Sequence, residues 1–179
     1  MRLTKPRIPP LPEAEWTDEA RDLLPPEGGR LNLFTTLVRH PKLFKRWTVF
    51  GAHVLSKSTL PARERELLIL RTGYRCNAAY EFHQHTRLGL AAGLTHDEIQ
   101  RLRGSIEGFA ARDAALLRAA DELHDDQMIS DETWRALCES WDEKQRIDLI
   151  FTVGQYTLAS MVLNSLGVQI EASSAEASR

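Results

Sequence analysis

The sequence predicts an all-α protein, one domain of about seven to nine helices. Three observations carry that prediction. Apolar residues recur at helical spacing in segment after segment of the 179-residue chain. Caps and stop signals punctuate those segments, with Thr17, Thr95 and Ser130 before helical runs and Gly93 and Gly167 after them. No segment sustains the polar–apolar alternation of a half-buried strand.

Residues 1–15 carry four prolines and few periodic apolar positions, so they read as an extended arm suited to lie on a neighbouring subunit. Thr17 caps a short helix, with Asp18 and Glu19 well placed in its first turn. That helix ends by Pro25–Pro26, and PPEGGR is a loop on turn chemistry alone. Leu31 to Arg39 is a helix closed by His40–Pro41. Pro41 opens the next, whose Leu43, Phe44, Trp47, Val49, Phe50 and Val54 repeat at core spacing. Pro61 suits the first position of the following helix, where its missing N–H would lack a partner anyway. Leu67 to Leu70 is a continuous apolar run, which predicts burial on most sides. A short break near Cys76–Asn77 separates that helix from one running over about 78–92 and stopped by Gly93. Thr95 and Glu98 form a capping-box pattern. Ala110 to His124 is amphipathic, and Ser130 caps a helix reaching about Ser140, in which Cys138 falls on the apolar pattern of Trp134, Leu137 and Trp141. The last helix spans roughly 142–166 and is apolar on most faces from Leu149, so it should cross the core or a subunit interface. The organisation is an arm at 1–15, a helical body at 16–168 and a polar, disordered tail at 169–179. One internal echo stands out: Arg65, Leu68, Ile69 and Gly73 reappear at constant offset as Arg146, Leu149, Ile150 and Gly154.

Apolar residues make up 42% of the chain and the net charge is −2. No basic block suggests nucleic acid. No apolar run approaches the ~20 residues of a membrane span, and the first residues lack a signal peptide's apolar core. Two cysteines, Cys76 and Cys138, make no disulfide framework. The expectation is a cytoplasmic protein with reduced thiols, acting on a small molecule, with no nucleic-acid or membrane partner.

Chemistry concentrates in Pro61 to Ile99. Glu81 and His85 are four residues apart on one helical face, with small Gly89 and Ala92 leaving room beside the imidazole. An i,i+4 charge pair can be no more than a surface feature contributing ~0.3–0.5 kcal/mol. A half-buried imidazole against a carboxylate is instead oriented and made more basic, as a general base near neutral pH requires. Glu66 sits beside the apolar run, where desolvation would raise its pKa and offer its proton; pairing with Arg63 is the surface alternative. Cys76, near the start of the second helix of the pair, is either a small buried residue or a thiol whose pKa the helix N-terminus lowers. His83 and His85 point to nearly opposite sides, and two carboxylates with one imidazole make a weak zinc signature. No metal or cofactor is expected. Tyr80 and Tyr156 read as core or pocket wall.

This segment resembles the carboxymuconolactone decarboxylase and alkylhydroperoxidase D family. The matching features are the REREL start with Glu66, Cys76 at the break, the YEF run of Tyr80, Glu81 and Phe82, His85, and the ending GLAAGLTHDEI. The resemblance is strong over about residues 61–100 and fainter over 35–60 and 140–168. It implies an all-helical fold and homo-oligomers, usually trimers or hexamers. In the family's redox members a glutamate precedes a CxxC-x3-H motif. Glu66 falls at that distance before His85, Glu81 stands where the second cysteine would be, and Cys76 stands near the first, displaced by extra residues. Ala79 follows three residues after Cys76, so a disulfide-cycling CxxC pair is missing.

The candidate catalytic set is therefore His85, Glu81, Glu66 and Cys76. The first reading is a decarboxylase-family enzyme acting on a small organic acid or lactone, with His85 as base or acid, Glu81 orienting it, Glu66 relaying a proton, and Arg71, Arg75 or Arg87 receiving the substrate carboxylate. The alternatives are a thiol peroxidase working through Cys76 and a non-catalytic oligomer that binds a small acid.

Overall fold

The computed structural model describes residues 2–24 and 30–171. Most of the PPEGGR loop, and the tail from residue 172, lie outside the described residues. Among these residues there are nine α-helices, one 3-10 turn at Glu13–Glu15 inside the N-terminal arm, and no strand. The α-helices are α1 (Asp18–Leu23), α2 (Asn32–Leu37), α3 (Pro41–Ser56), α4 (Ala62–Arg75), α5 (Ala79–Ala91), α6 (His96–Arg101), α7 (Ala111–Asp125), α8 (Asp131–Cys138) and α9 (Glu143–Leu166).

The caps read from the sequence are made. The Thr17 hydroxyl accepts from the Ala20 N–H, Thr95 and Glu98 close a capping box on α6, and Ser130 accepts from the Thr133 N–H. A second capping box, Asp142 with Gln145, opens α9, and Gly167 closes it in the left-handed region at φ 69°. Pro61 is the N-cap of α4, one position before the place expected.

The core is arranged around α4. Leu67, Leu68, Ile69 and Leu70 are all 0% exposed, and they reach different neighbours. Leu68 packs with Leu116 and Ala119 of α7 and Leu149 and Val153 of α9. Leu67 and Leu70 meet Phe82, Leu94, Ile99 and Leu102. Ile69 meets Val54 of α3 and Tyr156 of α9. A helix surrounded by α5, α7, α9 and α3 has no polar side to spare, which is why its apolar run is unbroken. Its cations are correspondingly paired. Arg71 makes a two-pronged contact with Asp121 of α7, both N–O distances 2.7 Å, and donates to the Leu102 and Gly104 carbonyls. Arg75 pairs with Asp125 and Arg63 with Asp113 and Glu98. Arg71 and Arg75 thus tie α4 to α7 and are not free to receive a substrate carboxylate.

The proline-rich arm lies on its own chain. The Arg7 N–H donates to the Leu166 carbonyl and the Leu11 N–H to that of Thr35, each at 2.8 Å. Leu11 and Trp16 pack with Phe44 and Val38. Residues 169–171 are held as well: the Glu171 carboxylate accepts from the Asn32 N–H, the Tyr80 hydroxyl and the Gln84 amide.

Four expected core positions are at the surface. On α3, Leu43 is 57%, Val49 70% and Phe50 38% exposed, because only the Phe44 and Val54 side meets other helices. Cys138, expected in the packing of α8, is exposed. That helix is short and buries only Thr133 and Leu137. On α9 the outward stripe Ile147, Ile150, Phe151, Leu158 and Met161 is uncovered. This is the one described helix long and apolar enough to cross a membrane, yet its other face carries Leu149, Val153, Tyr156 and Leu163 into the core.

Candidate functional site

The short turn between α4 and α5 folds the two helices back on each other. Cys76 caps α4, and Asn77 takes a positive φ of 51°; asparagine tolerates that region better than branched residues do. The Ala78 N–H returns to the Gly73 carbonyl at 2.8 Å. Gly73 faces α5 here: a Cβ on it would be in ordinary van der Waals contact with the Glu81 Cβ, at 3.6 Å.

This geometry brings Glu66, Glu81 and His85 together. Nδ1 of His85 lies 2.7 Å from a Glu66 carboxylate oxygen, and Nε2 lies 3.1 Å from one of Glu81. The cluster is almost closed to solvent: His85 is 6%, Glu81 5% and Glu66 1% exposed. The Tyr156 ring meets the imidazole edge-on, centroids 4.9 Å apart, and forms the wall contributed by α9. Arg65 adds a positive charge, its Nε 3.6 Å from Glu66.

Two nitrogens that each face a carboxylate are best satisfied when both carry a proton. Burial works against the charged ring, but the hydrogen bonds to Glu66 and Glu81, with the charges behind them, outweigh it and raise the His85 pKa to about 9. That direction favours the protonated ring at neutral pH, the form that can donate a proton. Of the base-or-acid role read for His85 from the sequence, this arrangement suits the acid side. Tyr156 is also pushed well above its ordinary value, by burial first and by Glu81 and Glu66 next, and stays a neutral phenol. The space expected beside His85 at Gly89 is filled: a Cβ there would lie 3.1 Å from Leu94 and 3.2 Å from Leu70.

Cys76 is placed apart from this cluster, sharing no hydrogen bond or ion pair with it among the described residues. Its thiol is 3.7 Å from Nδ1 of His124 on α7. Burial pushes the thiol up, while the Thr157 and Ser160 hydroxyls pull it back. The helix end beside Cys76 is the C-terminus of α4, and α5 begins only at Ala79. The thiolate-favouring N-terminus expected from the sequence is therefore absent. His124 is 48 residues from Cys76, and no local pattern links them. His83 is exposed, as expected. No group of three or more His, Cys, Asp or Glu residues suited to hold a metal ion occurs among the described residues.

Residues 41–122 match the family described as "Carboxymuconolactone decarboxylase family", which agrees with the resemblance read from the central segment. No curated protein matches the chain. Its fold is shared by several solved structures, three of which follow. One is an alkylhydroperoxidase AhpD core protein, described as an uncharacterized peroxidase-related protein, from Ralstonia eutropha JMP134. Its TM-score is 0.80 at 18% identity, over 92% of this chain and 93% of that one. The second is an uncharacterized peroxidase-related protein from Silicibacter sp. TM1040, with a TM-score of 0.79 at 14% identity over 95% and 96%. The third is the debrominase Bmp8 in complex with 2,3,4-tribromopyrrole, with a TM-score of 0.78 at 12% identity over 94% of each chain. At these identities the likeness is one of fold: the chain has the alkylhydroperoxidase D-like helical architecture.

Proposed function

We propose that this chain is a carboxymuconolactone decarboxylase-family enzyme that moves a proton on a small organic acid or lactone, with His85 as the proton donor. The observation that supports this most is the buried imidazole with a carboxylate on each nitrogen. In decarboxylation the C–C bond to the carboxylate breaks, CO2 leaves, and the electron pair left on carbon takes up a proton. His85 supplies that proton and regains one through Glu81, the more exposed of the two carboxylates. Glu66, backed by Arg65, holds the ring in place. Arg65, Glu66, His85 and Glu81 sum to no net charge, so an anionic substrate meets no repulsive field from the cluster as a whole.

Turnover by variants tests this reading. His85→Ala should lose about 10²-fold or more in kcat, and Cys76→Ser should keep most activity. The acid role also predicts that kcat falls as pH rises through about 9, where His85 loses its proton. The thiol-peroxidase reading draws on the Cys76–His124 contact. It predicts the reverse: Cys76→Ser dead, His85→Ala merely slow, and turnover of a hydroperoxide with dithiothreitol.

We infer further that the protein is a homo-oligomer and that a second copy covers the outward stripe of α9, where Phe151 already meets Phe50 of α3 edge-on. Contiguous exposed apolar residues of this kind favour an interface. Light scattering should give a multiple of 20.3 kDa, and Met161→Glu with Leu158→Glu should reduce it to one chain. A wild-type monomer at micromolar concentration would refute this.

A further inference from the structure

Behind the catalytic cluster, the opposite face of α5 borders an open groove of about 770 Å³. That lies within the ~300–1,000 Å³ common for small-molecule sites. Its floor is apolar, from Ala78, Phe82, Leu90 and Ile170, and its rim carries His83, Arg87, Gln100 and Arg103. Glu66, Glu81 and His85 do not line it.

The charge of this groove is one-sided. The chain holds 25 acidic and 23 basic residues, yet no aspartate or glutamate is among the lining residues. Arg63, Arg71 and Arg75 are each held by a carboxylate. Arg87 and Arg103 have no carboxylate partner among the described residues. Arg103 is positioned by another contact, its guanidinium 4.2 Å from the centroid of the Phe82 ring. Such a contact leaves the N–H edge of the guanidinium open to an acceptor. Glu171, which accepts from the lining residue Gln84, has its oxygens occupied by Asn32, Tyr80 and Gln84.

We propose that this groove is a second binding site, separate from the proton-transfer cluster, for an amphipathic organic oxyanion. Arg87 and Arg103 take the anionic head group, and an aliphatic or aryl body lies along Leu90 and Ile170. A guanidinium pair suits a planar oxyanion, through charge-assisted hydrogen bonds that a neutral alcohol cannot replace. The proposal does not depend on the reaction at His85, and its test reads binding alone.

Isothermal titration with octanoate, octan-1-ol and octylammonium would decide it, on the wild-type protein, the double variant Arg87→Gln/Arg103→Gln and His85→Gln. The two arginines are exposed, so their replacement leaves the core intact. Octanoate should bind the wild type, and octan-1-ol and octylammonium should bind at least ~10-fold more weakly. The arginine double variant should lose at least ~10-fold for octanoate, and His85→Gln should bind it unchanged. No octanoate heat in the wild type, octanol binding as tightly, or an unchanged double variant would overturn the proposal. Loss of binding in His85→Gln would overturn it too, by placing the ligand in the acid–base cluster. A changed mass of the double variant in light scattering would instead make the groove an interface between copies.

Discussion

Arg65, Leu68, Ile69 and Gly73 on α4 are echoed at constant offset by Arg146, Leu149, Ile150 and Gly154 on α9. The two helices pack against each other through Leu68, Leu149 and Val153. Leu68 and Leu149 are both 0% exposed, but Ile69 is 0% and Ile150 38% exposed. A Cβ on Gly73 would meet α5, whereas one on Gly154 would meet nothing within 4 Å. Arg65 leans on the Glu66 carboxylate, and Arg146 lies over the Trp134 ring. The same letters serve a helix enclosed all round and a helix enclosed on one side. Hydrophobic content records how much apolar surface needs covering. It does not record whether the cover comes from the same chain.

The largest expected effect follows from that contrast. Ile69→Ala should cost about 2–5 kcal/mol in urea unfolding, because its cavity opens where α3, α4 and α9 meet. Ile150→Ala should change the stability of a single chain by no more than about 0.5 kcal/mol. If a second copy covers α9, the same variant should also make the unfolding midpoint less dependent on protein concentration. Equal losses at both positions would abolish the distinction between the helices.

How much of this could be read from the sequence depends on the range of the interaction. Thr17, Thr95 with Glu98, Ser130 and Gly167 act within a turn of themselves, and each was legible. The meeting of Glu66 with His85 was legible too, because a short break between two helices leaves them antiparallel. A more basic His85 was legible from Glu81 alone; that Glu81 and Glu66 take different nitrogens of the ring was not, since spacing along the chain does not give the orientation of a side chain. Cys76 beside His124 depends on the packing of α4 against α7. Leu43, Val49 and Phe50 follow a core-like period, but periodicity describes only the helix that carries them. The neighbour that α3 lacks on that side has no trace in its sequence.

A smaller effect separates the buried charges of α4 and α5 from the apolar stripe of α9. The His85 pKa is raised from the ordinary 6.5 to about 9 in the folded protein. The folded state therefore holds a proton that the unfolded chain releases earlier. The stabilisation is full below pH 6.5 and is lost as pH rises through about 9, by on the order of 3 kcal/mol. Denaturant unfolding across that window should show the decline, and His85→Gln should flatten it. A flat wild-type profile would mean that the imidazole is neutral in the folded chain.

The smallest expected effect is at Gly154, and it tests the comparison most finely. The residue sits mid-helix on the uncovered side of α9 with open space around its Cα. Glycine there costs backbone entropy that alanine would not, so Gly154→Ala should stabilise a single chain by about 0.5–1 kcal/mol. Its neighbours along the stripe, Ile147, Ile150, Phe151, Leu158 and Met161, leave a notch at position 154 where another backbone or side chain can approach. If a second copy packs into that notch, the added methyl obstructs it, and the oligomer should weaken while the isolated chain gains. Dilution series of wild type and variant, read by light scattering and by urea unfolding, separate the two contributions. Gain in both readings would leave α9 paired elsewhere along its stripe, and loss in both would mean that its outward face is already packed within one chain.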